Sequence, residues 1–300
     1  MSGGASSSRW GRACDRALAQ VLRFAPNPFG RYRQRYRFYQ SVKNSDLVLW
    51  GTLRHSGVKL PLNLGDWVQY WMFMDGVYER ELVDFLCPVV KGKVFFDVGA
   101  NVGSYTLSLA RNAGKVYAFE ASLGNFRTLT KFVECAGFSN VEAVNRAVSD
   151  REGGEIRLFS SPDTGGNHSQ FYDFGKGFET ATTVSLDQFV EEERIERVDV
   201  IKMDIEGGEY RAFGGAQRIL RRDHPLLLVE FNARTAEQAH WKLASLHDLL
   251  LAYDYKSYEL KCGKLTAFDG EGLADSHFYS NLVFIHEPSG QPHEKEMTER

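Results

Sequence analysis

The sequence has little cysteine and no long apolar run. Its 300 residues hold four cysteines, Cys14, Cys87, Cys135 and Cys262. None stands in C-x-x-C spacing, which argues against a disulfide framework and against a zinc site and fits a reducing compartment. No apolar run approaches the roughly 20 residues of a membrane span. The stretch 17–22 is short and is followed at once by Arg23, unlike a signal-peptide core. The expectation is a cytoplasmic protein without a transmembrane segment. The net charge of −3 excludes a polycation as a whole. That sum hides an asymmetry: residues 1–43 carry eight arginines and one lysine against a single acid, Asp15, a net +8, and leave the remainder at −11. Hydrophobic residues make up 43% of the chain, enough for a sizeable core.

The strongest local signal is Val94-Phe95-Phe96-Asp97-Val98-Gly99-Ala100-Asn101-Val102-Gly103, an apolar strand that ends in an acid and a glycine turn. About twenty residues further on, a second apolar run ends in Glu120, where an acid suits ribose hydroxyls. The turn is not Gly-x-Gly-x-x-Gly, because its first position is the carboxylate Asp97. A carboxylate disfavours pyrophosphate and favours a cationic or amino-bearing ligand. S-adenosylmethionine has that chemistry, with a sulfonium, an ammonium and a ribose. Gly99 supplies a φ > 0 turn and Gly103 a close helix approach. Asn101 caps the following helix or bonds the ligand. Glu79 and Ser104 are lesser cofactor candidates, and Ala147, within 145–148 after the third strand, is a candidate for the adenine.

The rest of the chain alternates. A helix is expected from 76 to about 88, then helices over 105–111, 125–136, 209–222 and 235–252. Strands are expected at 141–144, 155–159, 180–184, 198–203, 226–230, 256–260 and 281–285. Such alternation argues a parallel sheet covered on both faces. Residues 1–30 are expected to be loosely ordered. The basic-aromatic alternation at 31–39 reads either as a site for an anionic partner, nucleic acid or membrane, or as an extension whose rings pack while its arginines stay wet. The division expected is an extension over 1–75, a domain over 76–290 and a polar tail over 291–300.

A second apolar strand at 198–203 runs into Asp204-Ile205-Glu206-Gly207-Gly208-Glu209. Asp97, Glu120, Asp204 and Glu230 all fall at expected strand carboxyl ends, where open parallel sheets bind ligands. FFDVGANVGSYTLSLA (95–110), Glu120, VSLDQF (184–189), VDVIKMDIEGGEYRAFGGAQRIL (198–220), HPLLLVEFN (224–232) and NLVFI (281–285) together resemble the FkbM-type S-adenosylmethionine-dependent methyltransferases. The resemblance covers about residues 76–286. It implies an α/β, Rossmann-like seven-stranded methyltransferase fold, mostly parallel with a reversed last strand, and methylation of a hydroxyl on a sugar or another small metabolite. It says nothing of residues 1–75.

Asp204 is the leading candidate for taking the acceptor's proton, with Glu206 assisting and His168, in a polar loop, as a further base. Glu230 and Asn232 are placed to bind acceptor or orient the site. Glu209 starts a helix, where an acid is favoured by the dipole. Asp187 reads as a helix cap. Two carboxylates and water also suit Mg²⁺, but the spacing does not establish a metal. A nicotinamide oxidoreductase is the alternative enzyme; Asp97 at the first motif position and the lack of a Tyr-x-x-x-Lys set count against it. A binding module with a vestigial cofactor fold is the non-enzymatic alternative, and the retained acids count against that.

Overall fold

The computed structural model describes residues 9–24, 31–43, 45–151, 153–160, 168–169, 171, 175 and 177–287. In chain order the N-terminal part comprises α1 (Arg9–Phe24), α2 (Arg31–Val42), β1 (Val48–Thr52), β2 (Lys59–Asn63) and α3 (Trp67–Asp75). There follow α4 (Arg80–Val89), β3 (Val94–Val98), α5 (Ser104–Leu109), β4 (Lys115–Phe119), α6 (Leu123–Ala136), β5 (Val141–Val144) and β6 (Ala147–Val148). Next come β7 (Glu155–Ser160), β8 (His168–Ser169), β9 (Phe178–Val184), α7 (Leu186–Glu192), β10 (Val200–Met203), α8 (Glu209–Gly214) and α9 (Gln217–Arg222). The last are β11 (Leu226–Asn232), α10 (Ala233–Gln238), α11 (Leu243–Leu251), β12 (Tyr255–Lys261), β13 (Lys264–Ala267) and β14 (Tyr279–His286).

The main sheet has the order β13-β12-β14-β11-β10-β3-β4-β5. From β11 to β5 every neighbouring pair is parallel, and β14 runs antiparallel to both β11 and β12. This is the expected seven-stranded, Rossmann-like arrangement with a reversed last strand. An eighth strand, β13, is added at the edge as a hairpin with β12. Successive residues of β3 serve opposite faces. Phe96 and Val98 join the core with α7, α8 and α11, while Phe95 packs with Val83 and Leu86 of α4 and Leu109 of α5. Both faces are therefore covered, which is why the central strands read as continuous apolar runs. A smaller sheet, β6-β9-β7-β8, flanks the main one.

Several element boundaries differ from expectation for local reasons. Gly76 is the left-handed stop of α3, so the next helix begins only after Glu79. The helix expected at 209–222 breaks at Gly214-Gly215, and that at 235–252 breaks after Gln238. Asp187 does cap a helix, but not its own. Ser185 caps α7, and Asp187 accepts from the Arg218 and Ile219 amides of α9.

The arm is more ordered than its composition suggests. Residues 9–24 and 31–42 are helices, and their buried side chains Ala19, Leu22, Phe38, Tyr39 and Val42 join one core with β2, α3, Val102, Leu107 and Phe132. Residues 1–8, 25–30 and the tail 291–300 lie outside the described residues. Phe38 and Tyr39 of α2 pack inward as the second reading of 31–39 expected, with Tyr39 meeting Trp67 edge-on at 4.8 Å; Tyr32 stacks on Trp71 at 5.3 Å but stays exposed, as does Tyr36. One arginine departs from that reading. Arg35 is buried, ion-paired to Asp75, and donates to the carbonyls of Leu22 (3.1 Å), Arg23 (3.2 Å) and Met74 (3.1 Å). A single guanidinium thus satisfies the open carbonyl ends of α1 and α3 together. Arg35→Ala strands those carbonyls, and the expected loss is about 2–4 kcal/mol of unfolding free energy. Urea denaturation reads this directly; a change below about 0.5 kcal/mol would show that water replaces the guanidinium without cost.

Candidate functional site

A cavity of about 330 Å³ opens at the carboxyl ends of β3, β4, β10 and β11. The two glycine-rich turns that follow β3 and β10 form its floor, and they touch. Gly99 has φ +78°, and a Cβ there would stand 1.8 Å from the Asp204 carbonyl oxygen. No side chain fits between the turns. Three residues other than glycine that line the cavity, Glu79, Asn101 and Glu206, also hold left-handed backbone, at φ 51°, 52° and 54°. Such conformations are costly for glutamate and persist only where surrounding structure fixes them.

Glu120 is held by two backbone amides at 2.8 Å each, Asn101 N–H on Oε2 and Ser122 N–H on Oε1. Each oxygen keeps a lone pair for a further donor. Burial pushes its pKa up to about 7, although both amides favour the charged form. Phe119, Ala147, Val148 and Leu158 supply an apolar wall beside it, and Asn145 fixes the local chain by donating to the Glu120 and Ala121 carbonyls at 2.8 and 3.1 Å.

Asp97 lies beneath the cavity and is fully buried. Its Oδ2 accepts from the Thr106 amide (3.0 Å) and hydroxyl (2.6 Å), so this strand carboxylate caps α5. Asn101 does not cap α5 as expected. The cap position is Gly103, and the Asn101 side chain accepts from the Val102 amide instead. Gly103, at φ +91°, leaves room for Leu129, which a Cβ would meet at 2.6 Å. Ser104 lines the cavity, and its buried hydroxyl has no hydrogen-bond partner among the described residues.

The opposite wall gathers Glu79, Asp204, Glu206, Glu230, Asn232 and Tyr279 around Lys202. Lys202 was not singled out from the sequence. It is buried, donates to the Gly99 carbonyl at 3.0 Å, and stands 3.5 Å from Asp204 and 3.9 Å from Asp97. Burial alone would lower its pKa, but Asp204, Asp97, Glu79 and Glu230 outweigh it and hold the ammonium above its ordinary value. The carboxylates are pushed upward. Burial, then the neighbouring charge of Asp204, raises Glu79, Glu206 and Glu230. Glu79 also accepts from the Tyr105 hydroxyl at 2.7 Å. Glu209 is buried beneath the second turn, where it accepts from the Ile205 and Gly207 amides at 2.9 and 3.3 Å, and burial raises it to about 7. The Trp241 indole fixes the same turn by donating to the Gly207 carbonyl at 2.8 Å.

The backbone of His168 pairs with Ser160 in β8; its side chain lies outside the described residues, as does the loop 161–167. His247 is buried and bonded to Ser257 Oγ at 2.8 Å. Among the described residues, no group of three or more His, Cys, Asp or Glu side chains is arranged to hold a metal ion. Among them, too, no helix is long and apolar enough to cross a membrane.

The methyltransferase FkbM domain family matches residues 97–257, from the buried acid of β3 into β12. The hexuronic acid methyltransferase AglP of Haloferax volcanii is 27% identical over 179 residues, which are 59% of this chain and 72% of AglP. Among solved structures, the methyltransferase FkbM of Methylobacillus flagellatus KT is similar with a TM-score of 0.43 and 14% identity. That likeness covers 91% of this chain and 59% of the other, so the chain spans about three fifths of that protein. An O-methyltransferase from Bacillus cereus in complex with SAH gives 0.44 and 15%, covering 92% of this chain and 97% of that one. With the match extending over more than half of its length, the chain belongs to the FkbM methyltransferase family and is a methyltransferase.

Proposed function

We propose that the protein transfers a methyl group from S-adenosylmethionine to a hydroxyl of a sugar. The transfer unit is the domain over 76–290. The observation that carries this reading is one cavity with two unlike ends. At one end Glu120, locked by two amides, stands beside an apolar wall; at the other, several carboxylates crowd a single ammonium. The donor set fits the cofactor. Glu120 has acceptor capacity for a ribose diol, Ala147, Val148 and Leu158 suit an adenine face, and the hydroxyl of Ser104 is unsatisfied. Glu79 and Asp204 suit positive charge, and Gly99 and Asn101 set the turn between the two ends. Bound there, the cofactor supplies an electrophilic methyl on a cationic sulfur.

The acidic wall has two tasks. It attracts a cation before transfer, and it gives the acceptor's proton somewhere to go. Asp204 lines the cavity 3.5 Å from Lys202, which ties it to the floor. Glu206 and Glu230, raised by burial and by Asp204, in their ionised form hold a proton more strongly than an ordinary carboxylate. Tyr279 and Asn232 sit beside Glu230 and are suited to orient an incoming hydroxyl. The sugar acceptor is supported by AglP, whose own acceptor is a hexuronic acid.

Two measurements test the reading. Calorimetric titration with S-adenosylhomocysteine should give saturable binding that Glu120→Ala weakens roughly tenfold to a hundredfold, as loss of charged hydrogen bonds implies. Ribose hydroxyls on Glu120 favour its charged form, so its pKa of about 7 falls on binding and protons leave the protein. At pH near 7 the apparent heat should therefore depend on buffer ionisation enthalpy. Binding without that dependence, or unchanged in Glu120→Ala, would sink the cofactor placement. Separately, with labelled S-adenosylmethionine and hexuronic-acid glycosides, Glu230→Gln should lower kcat about a hundredfold or more and abolish the rise of rate with pH. A variant that keeps both would remove Glu230 from the proton path.

A further inference from the structure

The helix α1 turns the wrong face outward. At about 100° per residue, Ala13, Cys14, Ala17, Leu18, Val21 and Phe24 share one half of its circumference. In a helix that serves only as cover, this half would face the body. Here the body is met by the other half, where Ala19 and Leu22 are buried. Leu18, Val21 and Phe24 stand 46%, 62% and 72% exposed. The exposure is not a frayed end, since the guanidinium of Arg35 holds the carbonyls of Leu22 and Arg23. Trp50 on β1 is 65% exposed, two residues from Thr52, whose carbonyl accepts from Arg23 at 3.4 Å. An exposed indole therefore belongs to the element on which α1 ends.

Arginines outnumber acids around this face, where Asp15 is the one carboxylate of α1. Arg16 on its flank and Arg33 and Arg37 on the outer side of α2 are exposed. Residues 1–43 carry +8 against −11 in the rest of the chain, so the molecule is polarised with this region positive. An exposed apolar stripe edged by arginines and accompanied by an exposed tryptophan is the pattern of a helix that lies in a lipid interface. A nucleic acid would use the charge and leave the aliphatic stripe without a role. A second copy would cover the stripe but would bring two positive regions together. We propose that α1 lies in the plane of an anionic lipid surface. Leu18, Val21 and Phe24 enter the headgroup boundary, and Arg16, Arg33 and Arg37 face the phosphates. The inference is independent of which acceptor is methylated.

Vesicle flotation of the full chain tests it. The protein should float with phosphatidylcholine vesicles containing ~30 mol% phosphatidylglycerol, much less with pure phosphatidylcholine, and progressively less as salt rises. The double variant Leu18→Glu/Val21→Glu should lower partitioning about tenfold or more. Its melting temperature should stay unchanged, because both side chains are on the surface. Phe24→Ser, a milder change, should give a partial loss with the same melting behaviour. Absence of flotation overturns the proposal, and so does equal partitioning of wild type and variants. Sedimentation that shows a dimer dissociated by Leu18→Glu/Val21→Glu would assign the face to a second copy and overturn it as well.

Discussion

The site is organised around one buried ammonium. Lys202 sits in a central parallel strand, in register with Asp97 of β3, and its head reaches the carbonyl of Gly99. Removing a charge from water is costly unless it is paired and hydrogen-bonded. Here Asp97 and Asp204 supply the pairing and the glycine turn supplies the bond. The same contacts join the end of β3 to the end of β10. Asp97 then extends the cluster into α5 through Thr106, and Asp204 extends it toward Glu206 and Glu230. Without the cation, the acids of the floor would repel one another. With it they sit close together, and burial holds Asp97, Glu206 and Glu230 above the ordinary carboxylate range.

The N-terminal region serves the site from outside the family match. Trp67 and Val68 of α3 line the cavity, and their helix is held by the aromatic packing of α2 and by the guanidinium of Arg35. Two residues of the cavity wall, Trp67 and Val68, therefore lie outside the stretch that the family match covers. The family match begins only at residue 97.

The strand-turn-helix rhythm was legible because it rests on local chemistry. Apolar runs that end in an acid and glycines can be read one segment at a time, and Glu120 declared itself by its distance from the turn. The cap was not legible. Its second helix, α2, alternates arginine with aromatic residues, and Arg35 finds its partners in α1 and α3, separated from it by up to 40 residues. Asp97 was legible as an important acid, but its pairing with Thr106 across the turn was not, because it depends on how α5 returns over β3. Lys202 had a signal that went unused. A lysine inside Val200-Ile201-Lys202-Met203 interrupts an otherwise apolar buried strand, and such a charge is rarely placed there unless it is paired.

The contact between Gly99 and the Asp204 carbonyl has a consequence for how this protein can vary. The turn that follows β3 and the turn that follows β10 share one point of backbone contact. Neither can be lengthened, shifted or given a side chain at that point without moving the other. The cavity wall can therefore vary most freely beyond this junction, at positions such as Trp67, Asn232 and Tyr279, while the two turns persist or fail as one inherited unit.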